Sequence, residues 1–232
     1  MYCNPTTLRY AEIMNVPHYD VVIATPGHSL KADYVKSLIE TTKWLDSKGL
    51  SYHFVSQYSS FVPSARENTA TDSYGADWVA TRFGAGKFAY SRIIWIDSDI
   101  SWKVDALEML LSSDKDIISG MMPVDRTGRI GAMKLNEAGN PVSLNSLDYI
   151  LEAEPFEVDG VSFGFLAVRQ GVFENMKRPW FKIRDISLET TDFRVDMGED
   201  YSWCANAVSA GFSIWVHPLC KVEHHKEMIL TV

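Results

Sequence analysis

Apolar and polar positions alternate in blocks along the first half of the chain. Asp20-Val21-Val22-Ile23-Ala24-Thr25 is a short apolar run stopped by Pro26-Gly27, and a run so short, bounded by breakers, predicts a buried strand. Leu30, Tyr34, Leu38 and Leu45 then recur near helical spacing, and Gly49 is a natural helix stop. Tyr52-His53-Phe54-Val55 predicts a second strand. Ser64-Ala65-Arg66-Glu67 fits a capping box, so a helix is expected to begin there. Ile93-Ile94-Trp95-Ile96 predicts a third strand that runs directly into Asp97-Ser98-Asp99. Ala106, Leu107, Leu110 and Leu111 mark a further helix, and Ile117-Ile118 a further strand. This alternation predicts an α/β layer with a largely parallel sheet flanked by helices.

The second half is less regular. A strand is expected around Phe165-Leu166-Ala167-Val168, and residues 177–198, rich in Pro, charge and aromatics, read as a long loop. Glu199 to Ala210 predicts a helix with Cys204, Ala207 and Val208 on one face and Gly211 as its stop. Ile214-Trp215-Val216 predicts a short final strand. Residues 1–19 read as an irregular N-terminal arm. No linker divides the 232 residues, a length that suits one domain.

Composition narrows the partners. The net charge is -8 and no Lys/Arg cluster occurs, which argues against nucleic-acid binding. An anionic ligand on such a chain needs a metal ion or a few well-placed cations. No apolar run reaches the length of a membrane span, and the first residues lack a secretory pattern. Cys3, Cys204 and Cys220 are odd in number and lack metal-type spacing, so they read as reduced thiols of a cytoplasmic protein.

Asp97-Ser98-Asp99 is the most informative local feature. Ligands of open α/β sheets bind beyond the carboxyl ends of the strands. Two carboxylates one residue apart at such a place can grip a hard divalent cation or sugar hydroxyls, although a solvated turn would look the same. The triplet resembles two motifs, the DxD of nucleotide-sugar transferases and the Asp-x-Asp start of haloacid-dehalogenase phosphatases. The phosphatase motif lies on the first strand and continues into Gly-Thr. Here it follows two strand–helix units and continues into Ile100-Ser101, which favours the transferase.

Further ordered segments carry the resemblance across Val21 to His224. The first strand ends in Ala24-Thr25-Pro26. Ser64-Ala65-Arg66 with Asn68 follows, with Glu67 inserted where many relatives have Arg-Asn adjacent. Then come Asp97-Ser98-Asp99, Ser162-Phe163-Gly164 before an apolar strand ending in Arg169, Gly198-Glu199-Asp200, and Val222-Glu223-His224 after a closing strand. The chain resembles a GT-A-fold glycosyltransferase close to the large family 2-like group. The resemblance implies a nucleotide-binding half to residue 99 and an acceptor-binding half from residue 100.

What the resemblance implies for the site is a set of expectations. Ala24, Thr25, Pro26, Arg66, Asp97 and Ser98 contact the donor, a UDP- or GDP-linked sugar. Asp99 is the leading ligand for Mn²⁺ or Mg²⁺, with His224 second, His225 an adjacent alternative, and Asp97 a ligand directly or through water. An imidazole ligand favours Mn²⁺ over Mg²⁺. Asp200 is the general base toward a sugar, lipid-linked or protein acceptor, with Glu199 beside it, and that role fits inversion at the sugar carbon. A carboxylate pair in the first turn of a helix also serves the helix dipole alone. Arg66 is expected to offset diphosphate charge. Trp102, Trp180 and Trp203 either stack on sugar or fill the core.

Two rival functions use the same residues. One is a metal-dependent phosphatase or nucleotidyltransferase built on the acidic triplet. The other is a non-catalytic nucleotide-sugar-binding domain, against which the retained Asp97, Asp99, Asp200 and His224 set argues. Gly160-Val161-Ser162-Phe163-Gly164 matches a serine-hydrolase elbow but precedes a predicted strand, where that motif demands a helix. Gly84-Ala85-Gly86-Lys87 lacks the earlier Gly and following Ser/Thr of a P-loop and reads as a turn.

Overall fold

The computed structural model describes residues 15–73, 82–187 and 194–226. The expected N-terminal arm and Cys3 lie outside them, apart from residues 15–19, the last two of which already belong to the first strand.

The first half follows the predicted alternation. Strand β1 (His18–Ala24) leads to helix α1 (Ala32–Ser47), β2 (Tyr52–Val55), helix α2 (Val62–Thr71) and β3 (Ala89–Ile96). After the acidic triplet come β4 (Ile100–Trp102), helix α3 (Val104–Ser112) and β5 (Ile117–Met121). Tyr34 and Leu45 of α1 and Ala106, Leu107, Leu110 and Leu111 of α3 are buried, as their spacing requires. Gly49 takes φ +66°, which stops α1 at little steric cost.

The second half adds β6 (Arg129–Leu135) and β7 (Pro141–Asn145), then β8 (Phe156–Val158), β9 (Gly160–Val161) and β10 (Phe165–Arg169). A short helix α4 (Val172–Asn175), strands β11 (Arg184–Ser187) and β12 (Arg194–Met197), helix α5 (Glu199–Ser209) and β13 (Ile214–His224) complete the chain.

The central eight-stranded sheet has the order β2-β1-β3-β10-β5-β13-β4, with β8 also pairing on β13. Strands β2, β1, β3, β5 and β13 share one direction, so the sheet is mostly parallel. Strand β10 runs against them between β3 and β5. That reversal matters for the site, because it brings the start of β10 beside the end of β3. The Asp97 amide donates to the Gly164 carbonyl at 3.1 Å.

Every residue of β3 is buried, as expected of a central strand covered on both faces. Alternation sends Ile93 and Trp95 into one hydrophobic layer with Phe163, Phe173, Trp180, Phe181 and Trp203. Ile94 and Ile96 enter the opposite layer with α1, α3 and Phe165. Full burial of each large apolar side chain contributes about 1.5–3 kcal/mol relative to exposure.

Strand β13 is where the structure departs most from its sequence reading. It continues eight residues past Val216. Its first part pairs in parallel with β5, its register shifts between His217 and Lys221, and its end pairs antiparallel with β4, setting His224 opposite Ile100. Gly120 makes this closure possible, since a Cβ there would lie 2.9 Å from the Cys220 carbonyl oxygen.

Four further readings are corrected. Helix α2 starts at Val62, with Phe61 as N-cap and Pro63 in its first turn, so Ser64 caps nothing and Glu67 is no capping-box acid. The expected loop 177–198 contains the antiparallel β11–β12 pair and buries Trp180 and Phe181. Val208 is 48% exposed, while Trp203 takes the core position on α5 beside Cys204 and Ala207. The β6–β7 hairpin was not anticipated. Trp102, Trp180 and Trp203 are all core residues. No helix among the described residues is long and apolar enough to cross a membrane.

Candidate functional site

A cleft of about 530 Å³ opens at the carboxyl ends of β1 and β3. Pro26, Gly27, Lys31, Tyr58, Arg66, the whole Asp97-Ser98-Asp99 triplet, His224 and His225 line it. A second groove of about 570 Å³, lined by Trp102 among others, contains none of the predicted donor, metal or catalytic residues.

The end of β1 contributes less than expected. Pro26 faces the cleft, but Ala24 and Thr25 are fully buried. The Thr25 hydroxyl meets the Tyr34 hydroxyl, and its amide donates to Val55 at 2.9 Å. Their side chains therefore do not line the surface available to a ligand. Ser98 does line it, and its carbonyl accepts from the Lys31 amide at 3.0 Å, tying the triplet to the start of α1.

Asp99 and His224 meet across the cleft. His224 Nε2 lies 3.1 Å from Asp99 Oδ2, and His224 Nδ1 lies 2.8 Å from the Pro123 carbonyl. A carbonyl can only accept, so Nδ1 carries the proton. In the neutral ring Nε2 is then a lone pair aimed at a carboxylate oxygen, two acceptors in contact. A proton on Nε2, giving an ion pair, or a cation shared by both atoms resolves the conflict. The separation is that of a direct imidazole–carboxylate contact, and Lys226 Nζ lies 3.9 Å from the same Asp99 oxygen. An Nδ1–H held by a backbone carbonyl is also the usual orienting contact of a ligating histidine. The pair offers one imidazole nitrogen and one carboxylate oxygen to the cleft. Among the described residues no three His, Cys, Asp or Glu side chains group closely enough to hold a metal unaided, so further ligands would come from water or substrate.

His225 does not share this position. Its Nε2 lies 2.7 Å from Ser101 Oγ and its Nδ1 3.7 Å from Asp33 Oδ2, although its amide donates to the Asp99 carbonyl at 2.9 Å.

The second cluster is built around Arg66. Its side chain is only 4% exposed and contacts three carboxylates. Arg66 Nη1 donates to Asp97 Oδ1 at 3.2 Å, and Nε donates to Glu199 Oε1 at 3.2 Å. Nε also stands 3.0 Å from Asp200 Oδ1, and Nη2 reaches Asp200 Oδ2 at 3.5 Å. Beneath the guanidinium lies the Phe163 ring, 5.1 Å away. Arg66 also lines the cleft, and each of its three nitrogens donates to one of this chain's own acids. Burial disfavours its charge, but Asp200, Asp97 and Glu199 more than compensate and raise its pKa.

Asp200 sits in the first turn of α5, its carboxylate accepting from the Phe163 amide at 3.2 Å. Burial pushes its pKa up to about 7, with Glu199 and Asp97 adding to the rise and Arg66 and the Phe163 amide opposing it. A carboxylate that gains and loses its proton near neutrality is suited to take a proton from a hydroxyl. The structure thus joins Asp97, Glu199 and Asp200 through Arg66 and joins Asp99 to His224; Arg66, Asp97, Asp99 and His224 line the cleft, and Glu199 and Asp200 stand behind Arg66.

Phe163 and Glu67 belong to this region but were not anticipated. Glu67 is 7% exposed and accepts from the Phe181 amide at 2.9 Å and from Arg178 Nη2 at 3.0 Å. The one available signal was its insertion between Arg66 and Asn68.

No protein-family model and no curated protein matches the chain. Solved structures give distant matches. A protein from STIV has a TM-score of 0.48 at 13% identity over 94% of this chain and 98% of that one. The catalytic domain of Drosophila beta1,4galactosyltransferase 7 in complex with xylobiose has a TM-score of 0.49 at 12% identity, over 91% of this chain and 72% of that one. A mutant of the same transferase, in complex with manganese, UDP-Gal and xylobiose, has a TM-score of 0.46 at 13% identity and the same coverage. At such distances the functional reading rests on the site's own geometry.

Proposed function

We propose that this chain is a metal-dependent glycosyltransferase that moves a sugar from a UDP- or GDP-linked donor to an acceptor hydroxyl, with inversion. The observation that carries the reading is the meeting of two clusters at one end of the sheet, the Asp99–His224 pair and the Arg66-centred acids that include Asp200. Asp99 and His224 would hold Mn²⁺ or Mg²⁺, which when bound would offset charge developing on the departing diphosphate. Asp97, fixed by Arg66, and Ser98 face the donor. Asp200 takes the acceptor proton as the acceptor oxygen bonds the sugar carbon and the nucleoside diphosphate leaves with the electrons of the broken bond. Arg66 keeps the three acids in place without contacting the diphosphate.

Thermal shift with UDP, GDP and their sugar conjugates tests this, with Mn²⁺ and again with chelator. A nucleotide at 100 times its Kd stabilises by about 2.7 kcal/mol. One nucleoside diphosphate should stabilise the wild type only with metal, and His224→Ala should lose that metal requirement together with most of the affinity. Equal stabilisation in chelator would overturn the metal assignment. Release of free phosphate without an acceptor would point to the phosphatase instead.

A further inference from the structure

The consecutive residues Arg66 and Glu67 on α2 reach opposite ends of one segment. Glu67 holds its start, where the Phe181 amide donates to Oε1 at 2.9 Å and Arg178 donates to Oε2 from Nη2 at 3.0 Å and from Nε at 3.3 Å. From there the chain runs into β11, whose partner β12 ends one residue before Gly198. Arg66 holds the far end, contacting Glu199 and Asp200 directly after the hairpin. The charges are complementary at each end, with Glu67 opposite Arg178 and Arg66 opposite the two acids. Both gripping side chains are buried and their partners are mostly so, which shields each contact in part from competing water.

A packed path joins the two ends as well. Phe181 lies 5.0 Å from Phe163 and 5.4 Å from Trp95. The Phe163 amide donates to Asp200, and its ring lies under the Arg66 guanidinium. A shift of Phe181 is therefore felt by Phe163, the residue that orients the Asp200 carboxylate.

We propose that Glu67 is a positioning residue that, by fixing Arg178 and Phe181, sets where Asp200 stands relative to the cleft. The proposal rests on the reading of Asp200 as the base. Glu67 touches no substrate, and its effect passes through the segment it holds. A misplacement of about 1 Å far from the reacting atoms can cost about 100-fold in rate.

The test compares wild type, Glu67→Ala, Glu67→Gln and the distal core variant Ile118→Val in two measurements. Donor kinetics should show kcat reduced about 10- to 100-fold in Glu67→Ala, with KM for the nucleotide sugar within about twofold of wild type. Glu67→Gln keeps an acceptor for the Phe181 amide and should recover part of that loss, and Ile118→Val should change neither parameter. Hydrogen exchange should show residues 178–184 and 198–202 losing protection together in both Glu67 variants, while β3 and β5 keep theirs. Loss confined to 178–184 with kcat unchanged would overturn the proposal, as would a rise in KM alone. If Glu67→Ala does not fold, Glu67→Gln decides by the same two readouts. Wild-type protein that turns over no nucleotide sugar would remove the transferase reading, and the exchange map would still decide whether Glu67 controls the Asp200 segment.

Discussion

Replacing Arg66 by Met isolates the charge at the centre of the site. Met keeps an unbranched apolar stem over Phe163 and removes the guanidinium. Three carboxylates within 3.2 Å of Arg66 then face one another without a counter-charge. Breaking a buried ion pair by removing one partner costs about 3–5 kcal/mol. Here the acids are 16–32% exposed, so water screens part of their repulsion. A cost of about 2–3 kcal/mol at pH 8 follows from that discount.

The pH dependence separates charge from packing. The Asp200 pKa is about 7 in the folded wild type, against 3.8 as its ordinary value. Between those values the native state binds more protons than the unfolded chain, so stability falls as pH rises through that window. Removing Arg66 takes away an influence that lowers the Asp200 pKa, so in the variant the fall continues above pH 7. The difference between wild type and variant should therefore widen above pH 7, by up to about 1.4 kcal/mol per unit of added shift. At pH 5.5 Asp200 is largely neutral in both folded proteins, and only Asp97 and Glu199 still lack a counter-ion. Urea unfolding at pH 5.5, 7 and 8.5 measures this. A difference constant across the three values would refute the electrostatic account and leave Arg66 as a packing residue.

Two further outcomes follow from the same geometry. Asp200→Asn should lower kcat by about 10²–10⁴-fold while donor affinity stays within about twofold, and wild-type kcat should rise with pH through about 7 as Asp200 ionises. Steady-state kinetics and donor titration measure both, and near-normal turnover in the variant would remove Asp200 from the role. Gly120→Ala would place a Cβ 2.9 Å from the Cys220 carbonyl oxygen and 3.0 Å from Phe165, costing about 1–3 kcal/mol in urea unfolding. Because β13 carries His224 beyond that contact, metal-dependent nucleotide binding should weaken too, and full stability with full binding would contradict the role given to Gly120.

The elements legible in the sequence were those whose burial is one-sided or complete. Helix α3 shows its buried stripe directly, α1 shows it in part, with Tyr34 and Leu45 buried and Leu30 exposed ahead of the helix, and β1, β3 and β5 each contain an apolar run. Helix α2 gave no such signal, because Arg66, Glu67, Asn68 and Thr69 are all buried and no apolar stripe exists to read. Its polar residues are inside because they bond to other segments, which no local pattern encodes. Strand β13 was read too short for a related reason. Pro218 interrupts the run, yet it falls in the register shift between His217 and Lys221, where the regular ladder is broken. The β11–β12 pair was hidden by the Pro and charge content of its approach, although Trp180 and Phe181 within that approach are core residues.

At the candidate site, motif order names residues but does not give their partners. Asp99 and His224 stand 125 positions apart, and only the antiparallel pairing of β4 with the end of β13 joins them. The distinction between His224 and His225 is invisible in sequence. It follows from strand alternation, which turns adjacent side chains to opposite faces, so that one imidazole meets Asp99 and the other Ser101. Arg66 shows partners that no local pattern reveals. An Arg near a predicted anion site suggests a ligand contact, and in the fold three acids, Asp97 after β3 and Glu199 and Asp200 of α5, converge on it. Its forked donors serve the protein's own carboxylates, and the negative charge they balance belongs to Asp97, Glu199 and Asp200. Charge at this end of the sheet is thus balanced internally at Arg66, which stands among Asp97, Glu199 and Asp200, while Asp99 and His224 face the cleft beside Lys226.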